Sequence, residues 1–233
     1  RRVLDGIDFR LEPGEVACVL GPNGAGKSSL LDVALGLLPA EGAVLLEGSP
    51  LETLPLRERA RLLALSGREE LDPHGLTVRE IVALGAEARL DGTPPQNLER
   101  FLEETGVVEF ATRPLGTLSS GERQRVHWAR VMAQSPRVLL LDEATTHLDL
   151  AHREEAARRV RRFAEAGGAA LVVLHEVDVA VRHFPRVLVI ARGRLVADGP
   201  TTSVLTPALL RDVFGVTADI RSIDGTSHLL VHS

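Results

Sequence analysis

The sequence predicts an α/β fold interrupted by a helical insertion, and three observations carry that prediction. The runs 16–20, 138–141 and 169–174 are short and wholly apolar, as buried strands are. A glycine-rich loop joins the first of them to a helical apolar pattern, giving strand, loop and helix in order. From about 71 to 134 strand signals vanish and only helical periodicity remains. At 233 residues and 44% hydrophobic content, the chain is long enough for one large domain or a domain with an inserted lobe.

In chain order, 16–20 is a strand, and the helix beginning at Ser28 is expected to stop near Pro39. Residues 43–47 read as a short strand before a Gly48-Ser49-Pro50 turn, and 62–65 as another strand. Helical spacing follows over 77–85, 97–105 and 121–134, with Asp91-Gly92-Thr93-Pro94-Pro95 as a loop between the first two. Strand–helix alternation then resumes with 138–141, a helix over 152–166 closed by Gly167-Gly168, and 169–174. Segments 187–191 and 195–197 flank Arg192-Gly193, a predicted hairpin, and 206–233 holds a short helix and weak strands. The expected organisation is one domain over 1–233: a catalytic lobe of about 1–70 and 135–233, and a helical lobe of about 71–134. The sequence has no internal repeat and no low-complexity segment.

Net charge is −5 and the sequence pI about 5.9, which argues against a bulk nucleic-acid binder. The one cysteine, Cys18, lies in an apolar run and is expected to be a small buried core residue. No apolar run approaches the roughly 20 residues that span a bilayer. The chain is expected to be soluble, without a signal peptide, and to reach a membrane only through a partner. It begins at Arg1 rather than Met, which predicts a trimmed N-terminus.

Lys27 is the only lysine in the chain. A sequence that uses arginine at every other basic position keeps a compact ammonium here rather than a planar fork. It sits in Gly21-Pro22-Asn23-Gly24-Ala25-Gly26-Lys27-Ser28-Ser29, the G-x-x-x-x-G-K-[ST] spacing of a phosphate-binding loop. The glycines let successive backbone N–H groups turn onto a polyphosphate, the lysine reaches its outer phosphates, and the Ser28 hydroxyl can ligate Mg²⁺.

Downstream, the run 138–141 ends in Asp142-Glu143. A buried strand ending in aspartate can hold Mg²⁺ opposite Ser28, and Glu143, just past it, can polarise a water for in-line attack. Before that strand stands Leu118-Ser119-Ser120-Gly121-Glu122-Arg123-Gln124. On local chemistry alone this is an ordinary helix cap. The order of the three motifs says more.

In that order the chain resembles the ATP-binding subunit of an ABC transporter, and the resemblance covers essentially all of it. It implies a P-loop NTPase core, a RecA-like mixed sheet with flanking helices and an N-terminal antiparallel β region, with an inserted helical subdomain. Leu118, Ser119, Ser120, Gly121 and Glu122 are similar to the family signature, which contacts the ATP of a partner subunit. Residues 144–149 resemble the loop after the catalytic glutamate, with Asp149 as its aspartate. His175 matches the switch histidine. By resemblance, Glu143 is the base that orients water, Asp142 and Ser28 serve the metal, and Lys27 and His175 stabilise the transferring phosphoryl group. The implied working form is a homodimer, head to tail, enclosing two ATP with Mg²⁺. Integral-membrane permease subunits and, indirectly, a periplasmic or extracellular substrate-binding protein are its implied partners. The implied place is the cytoplasmic face of a bacterial membrane.

The segments 76–85, 145–152 and the tail from Asp198 to Val216 resemble the subfamily serving iron-chelate, haem and cobalamin importers. Three departures stand out. Arg68 falls where the family has a metal-approaching glutamine, and arginine can neither accept a hydrogen bond nor ligate Mg²⁺. The adenine-stacking aromatic is expected before residue 1, because the chain has no tyrosine and Phe9 is too near the loop. Ala144, Ser120 and Glu176 replace the usual proline, glycine and aspartate. Two other readings stay open at this level: a soluble ABC-type ATPase of the iron–sulfur assembly kind, and a catalytically impaired nucleotide-binding regulator.

Overall fold

The computed structural model describes residues 2–67, 75–87, 98–142 and 150–232. In chain order it contains β1 (Val16–Leu20), α1 (Lys27–Ala34), β2 (Leu45–Leu46), β3 (Ser49–Pro50), α2 (Leu56–Leu62), β4 (Leu63–Ser66), α3 (Val78–Glu87) and α4 (Leu98–Glu104). There follow α5 (Ser120–Ala133), β5 (Val138–Asp142), α6 (Leu150–Glu165), β6 (Ala169–Val173), α7 (Val177–His183), β7 (Arg186–Ala191) and β8 (Arg194–Pro200). The tail forms α8 (Thr201–Val204), α9 (Pro207–Phe214), β9 (Ala218–Ile223) and β10 (Thr226–Val231). Six strands form one sheet in the order β4-β5-β6-β1-β7-β8. The chain divides into two compact units, 1–41 with 141–233, and 42–140.

In the first unit β1 pairs in parallel with β6 on one side and β7 on the other. All five residues of β1 and of β6 are buried, as expected of strands covered on both faces. Cys18 is fully buried in β1, and burial pushes its thiol far above the usual value, leaving it inert. β7 and β8 form the expected hairpin around Arg192 and Gly193, both with positive φ. Arg186 closes the open end of that hairpin with a bidentate pair to Asp198 at 2.7 and 2.6 Å, and also donates to Glu15 Oε1 at 2.8 Å.

The expected helix after the glycine loop is shorter than its apolar spacing suggested. α1 ends at Ala34, because Gly36 turns left-handed at φ 71 and the N–H of Leu37 returns to the Asp32 carbonyl at 2.8 Å. Leu37 and Leu38 extend the pattern but lie exposed beyond that stop.

In the second unit Ser49-Pro50 is not a turn. The turn falls on Glu47 and Gly48, both with positive φ, and Ser49–Pro50 pair antiparallel with Leu45–Leu46. Helix α2, starting after Pro55, stands where no helix is expected from the sequence. Helices α3, α4 and α5 bury one apolar cluster that includes Val78, Val82, Leu102, Val126 and Ala129. Gly85 sits where α3 crosses α5: a Cβ there would stand 1.9 Å from the Arg130 carbonyl oxygen. The end of α5 is tied to β4, since Gln134 Nε2 donates to the Leu63 carbonyl at 2.7 Å and Arg137 N–H to that of Leu62 at 2.8 Å.

Candidate functional site

Strand register builds the first half of the site. Val19 of β1 pairs with Val173 of β6 and with Leu188 of β7, all parallel, so their carboxyl ends share one edge. The chain leaves β1 into the loop from Gly21 to Gly26, and His175 stands just past the end of β6, exposed. The loop is fixed from below by β7. A Cβ on Gly21 would meet the Ile190 carbonyl oxygen at 2.1 Å, so only glycine fits that approach. The tip of the β7–β8 hairpin holds it from the side: Gly193 N–H donates to the Ala25 carbonyl at 3.1 Å, and the Gly193 carbonyl accepts from Asp5 N–H at 2.8 Å. Neither Ile190 nor Gly193 is expected from the sequence to support this loop. The only available signal was the turn itself.

Gly26 caps α1 at φ 105 and ψ 12, a left-handed conformation that turns the chain at once into helix. Lys27 is therefore the first helical residue, and α1 starts directly from the loop. Pro22, Asn23, Gly24 and Ser28 are exposed, Gly26 and Ser29 half-buried, and Gly21, Ala25 and Lys27 buried. The Lys27 ammonium folds back across the loop, donating to the carbonyls of Gly21 at 2.8 Å and Pro22 at 3.3 Å.

Asp142 ends β5 and is 4% exposed. Its Oδ1 accepts from the Ser28 hydroxyl at 3.2 Å, across 114 residues of sequence. The two expected metal ligands thus meet. A hydroxyl and a carboxylate oxygen side by side, one of them exposed beside a phosphate-type loop, fit Mg²⁺, which takes few protein oxygens and completes its shell with phosphate and water.

The signature turn lies in the second unit. Ser119 caps α5, with its hydroxyl and its N–H both donating to Glu122 Oε2 at 2.7 Å, while Glu122 N–H returns to Ser119 Oγ at 3.3 Å. The backbone bond from Ser119, then the hydroxyl bond, hold the Glu122 carboxyl below the usual glutamate range. Leu118 and Gly121 are buried, and Ser119 and Ser120 are exposed. Arg123 Nη1 donates to the Leu118 carbonyl at 2.6 Å, locking the turn from inside; the sequence offered no sign of that bond. Glu143, Asp149 and Arg68, with the acids Glu69 and Glu70 beside it, lie outside the described residues.

Known proteins resemble this chain over nearly its whole length. The family described as ABC transporter matches residues 4–146. The hemin import ATP-binding protein HmuV of Bradyrhizobium diazoefficiens is 37% identical, covering 100% of this chain and 90% of that protein. HmuV of Myxococcus xanthus is 41% identical, over 99% of this chain and 91% of that one. A solved chain described as of a metal-chelate type ABC transporter, in an inward-facing conformation, superposes with TM-score 0.79 at 22% identity, covering 97% of this chain and 90% of that one. By that match and those relatives, the chain belongs to the ABC transporter family as an ATP-binding, ATP-hydrolysing subunit.

Proposed function

We propose that this chain powers import of haem or a related iron chelate, by closing as a homodimer on two MgATP and opening after hydrolysis. The observation that carries the nucleotide chemistry is the 3.2 Å bond between Ser28 and Asp142 beside the Lys27 loop. The import direction and cargo class are supported by the relatives named as hemin import ATP-binding proteins. Among the described residues no helix is long and apolar enough to cross a membrane. The chain then works at the cytoplasmic face on integral-membrane permease subunits, fed by a periplasmic or extracellular substrate-binding protein.

In this reading Gly21, Pro22, Asn23, Gly24, Ala25, Gly26, Ser28 and Ser29 surround the phosphates. Lys27 leaves the Gly21 and Pro22 carbonyls for the β- and γ-phosphate oxygens. Ser28 and Asp142 would hold Mg²⁺, which offsets charge on the triphosphate when bound. Glu143 orients the attacking water and accepts its proton. His175 donates to the γ-phosphate as charge develops there. The signature turn of the second copy, 118–122, completes the site through Ser119 and Gly121, and Asp149 is the aspartate of the loop that follows Glu143. ATP bridging both copies favours the closed pair only because the open pair lacks those contacts.

The test is Glu143→Gln. It should still bind ATP and form dimers by light scattering, with hydrolysis reduced roughly 10²–10³-fold. Hydrolysis at the parent rate would refute the base assignment. Co-purification with a permease whose liposomes take up haem in an ATP-dependent way tests the cargo; uptake of cobalamin but not haem would overturn it.

A further inference from the structure

We propose that Glu122 is a placeholder for the partner's γ-phosphate: its carboxylate occupies the donors of Ser119 in the separated chain and sets the ATP concentration at which two copies close. The inference rests on the sandwich reading above. A serine hydroxyl has one proton to give. Here that proton goes to Glu122 Oε2 at 2.7 Å, and the same oxygen takes the Ser119 N–H at 2.7 Å. A phosphate oxygen arriving from a second copy cannot share them. It must displace an anion that already sits in its place and repels it. The Ser119 turn is exposed, so the exchange needs no opening of the core. Arg123, bonded to the Leu118 carbonyl at 2.6 Å, keeps the turn in shape once Glu122 has left.

The fold supplies its own control. At the start of α3, Thr77 N–H and hydroxyl donate to Glu80 Oε2 at 2.8 and 2.7 Å, the same cap without a signature. Any effect of losing a helix cap as such must appear at both helices.

The experiment measures the half-saturating ATP for dimerisation by light scattering in the Glu143→Gln background. Glu122→Ala and Glu122→Asp should each lower it roughly tenfold, the worth of one charge-assisted bond no longer broken on closing. Glu80→Ala should leave it at the parent value. ADP binding to the separated chains should be unchanged in all three, which shows that they are folded. If Glu122→Ala closes at the parent concentration, the placeholder role is wrong. If Glu122→Ala lowers the value but Glu122→Asp does not, charge alone acts and the hydrogen-bond exchange is overturned. A parent that stays monomeric at saturating ATP refutes the sandwich, and this inference with it. A dimerising parent with unresponsive Glu122 variants refutes this inference alone.

Discussion

Replacing Gly21 by alanine should damage nucleotide binding more than it damages the fold. The added Cβ would stand 2.1 Å from the Ile190 carbonyl oxygen and 3.1 Å from its carbon. The gap must open by about 0.9 Å to reach the 3.0 Å below which such contacts do not occur. Either β7 or the loop must move. β7 is fully buried from Val187 to Ile190 and is paired on both edges, Val189 with Leu20 and Ile190 with Leu195. The loop carries fewer such restraints, so it moves. Overpacking of this kind costs about 1–3 kcal/mol of stability. A shift near 1 Å in groups that must line up on phosphates costs roughly 10²-fold in activity. Gly24→Ala is the comparison: φ there is +75 with nothing within 4 Å of the new Cβ, so only the left-handed backbone is penalised, by about 1–2 kcal/mol. ADP titration and urea denaturation of the two variants separate these effects. A Gly21→Ala protein with parent ADP affinity and parent denaturation midpoint would show that the Ile190 contact does not position the loop.

Gly85→Ala should lower the urea midpoint by the equivalent of about 1–3 kcal/mol, because its Cβ meets backbone of α5 at 1.9 Å rather than a flexible side chain; an unchanged midpoint would refute the close crossing. Ser28→Ala should raise the Mg²⁺ concentration needed for hydrolysis by at least roughly tenfold, read from metal titrations at fixed ATP, and parent-like metal dependence would remove Ser28 from the metal site. His183, with Nε2 3.3 Å from Glu154 Oε1, has its pKa lowered below 6.5, chiefly by burial, with Arg161 and Arg182 assisting and Glu154 and Asp178 opposing. The unfolded chain then binds the proton first, so this contribution to stability is complete above about pH 6.5 and is lost as pH falls toward the folded value. His183→Gln should flatten that part of a melting-temperature profile between about pH 7.5 and pH 5, and an unchanged slope would assign the acid sensitivity elsewhere.

The sequence disclosed those parts of the site whose spacing is set by the ligand. The loop from Gly21 to Ser29 must match a polyphosphate, so its residue types were visible at once, and a strand ending in Asp142 was visible as four apolar residues stopping at a charge. The meeting of Ser28 and Asp142 was expected from motif order, and the structure supplied its distance. What stayed hidden depends on partners far away in sequence. Nothing near Ile190 or Gly193 marks either as a support of the phosphate loop, because the contact exists only once β7 lies beside β1. The stop of α1 was legible in Gly36 but was overridden by Leu37 and Leu38, which continue the apolar spacing without being buried. The turn at Glu47-Gly48 was misplaced because Ser49-Pro50 carries the stronger turn chemistry, although Pro50 tolerates a two-residue edge ladder.

One physical feature unites the groups meant for nucleotide. Lys27 rests on two loop carbonyls, Ser28 on Asp142, and Ser119 on Glu122. Each of these donors already has an acceptor within the chain. Leaving the buried Lys27 ammonium unsatisfied would cost about 1–3 kcal/mol, so its two loop carbonyls stabilise the separated subunit, whereas Ser28 and Ser119 are exposed and their internal bonds contribute less. It follows that nucleotide gains only the difference between the old partner and the new one. For Lys27 the exchange trades neutral carbonyls for charged phosphate oxygens, a large net gain. For Ser119 it trades one anion for another, a small one. Binding to the chain's own loop should therefore be strong and closure of the pair weak and easily reversed, as a subunit that must open after every hydrolysis requires.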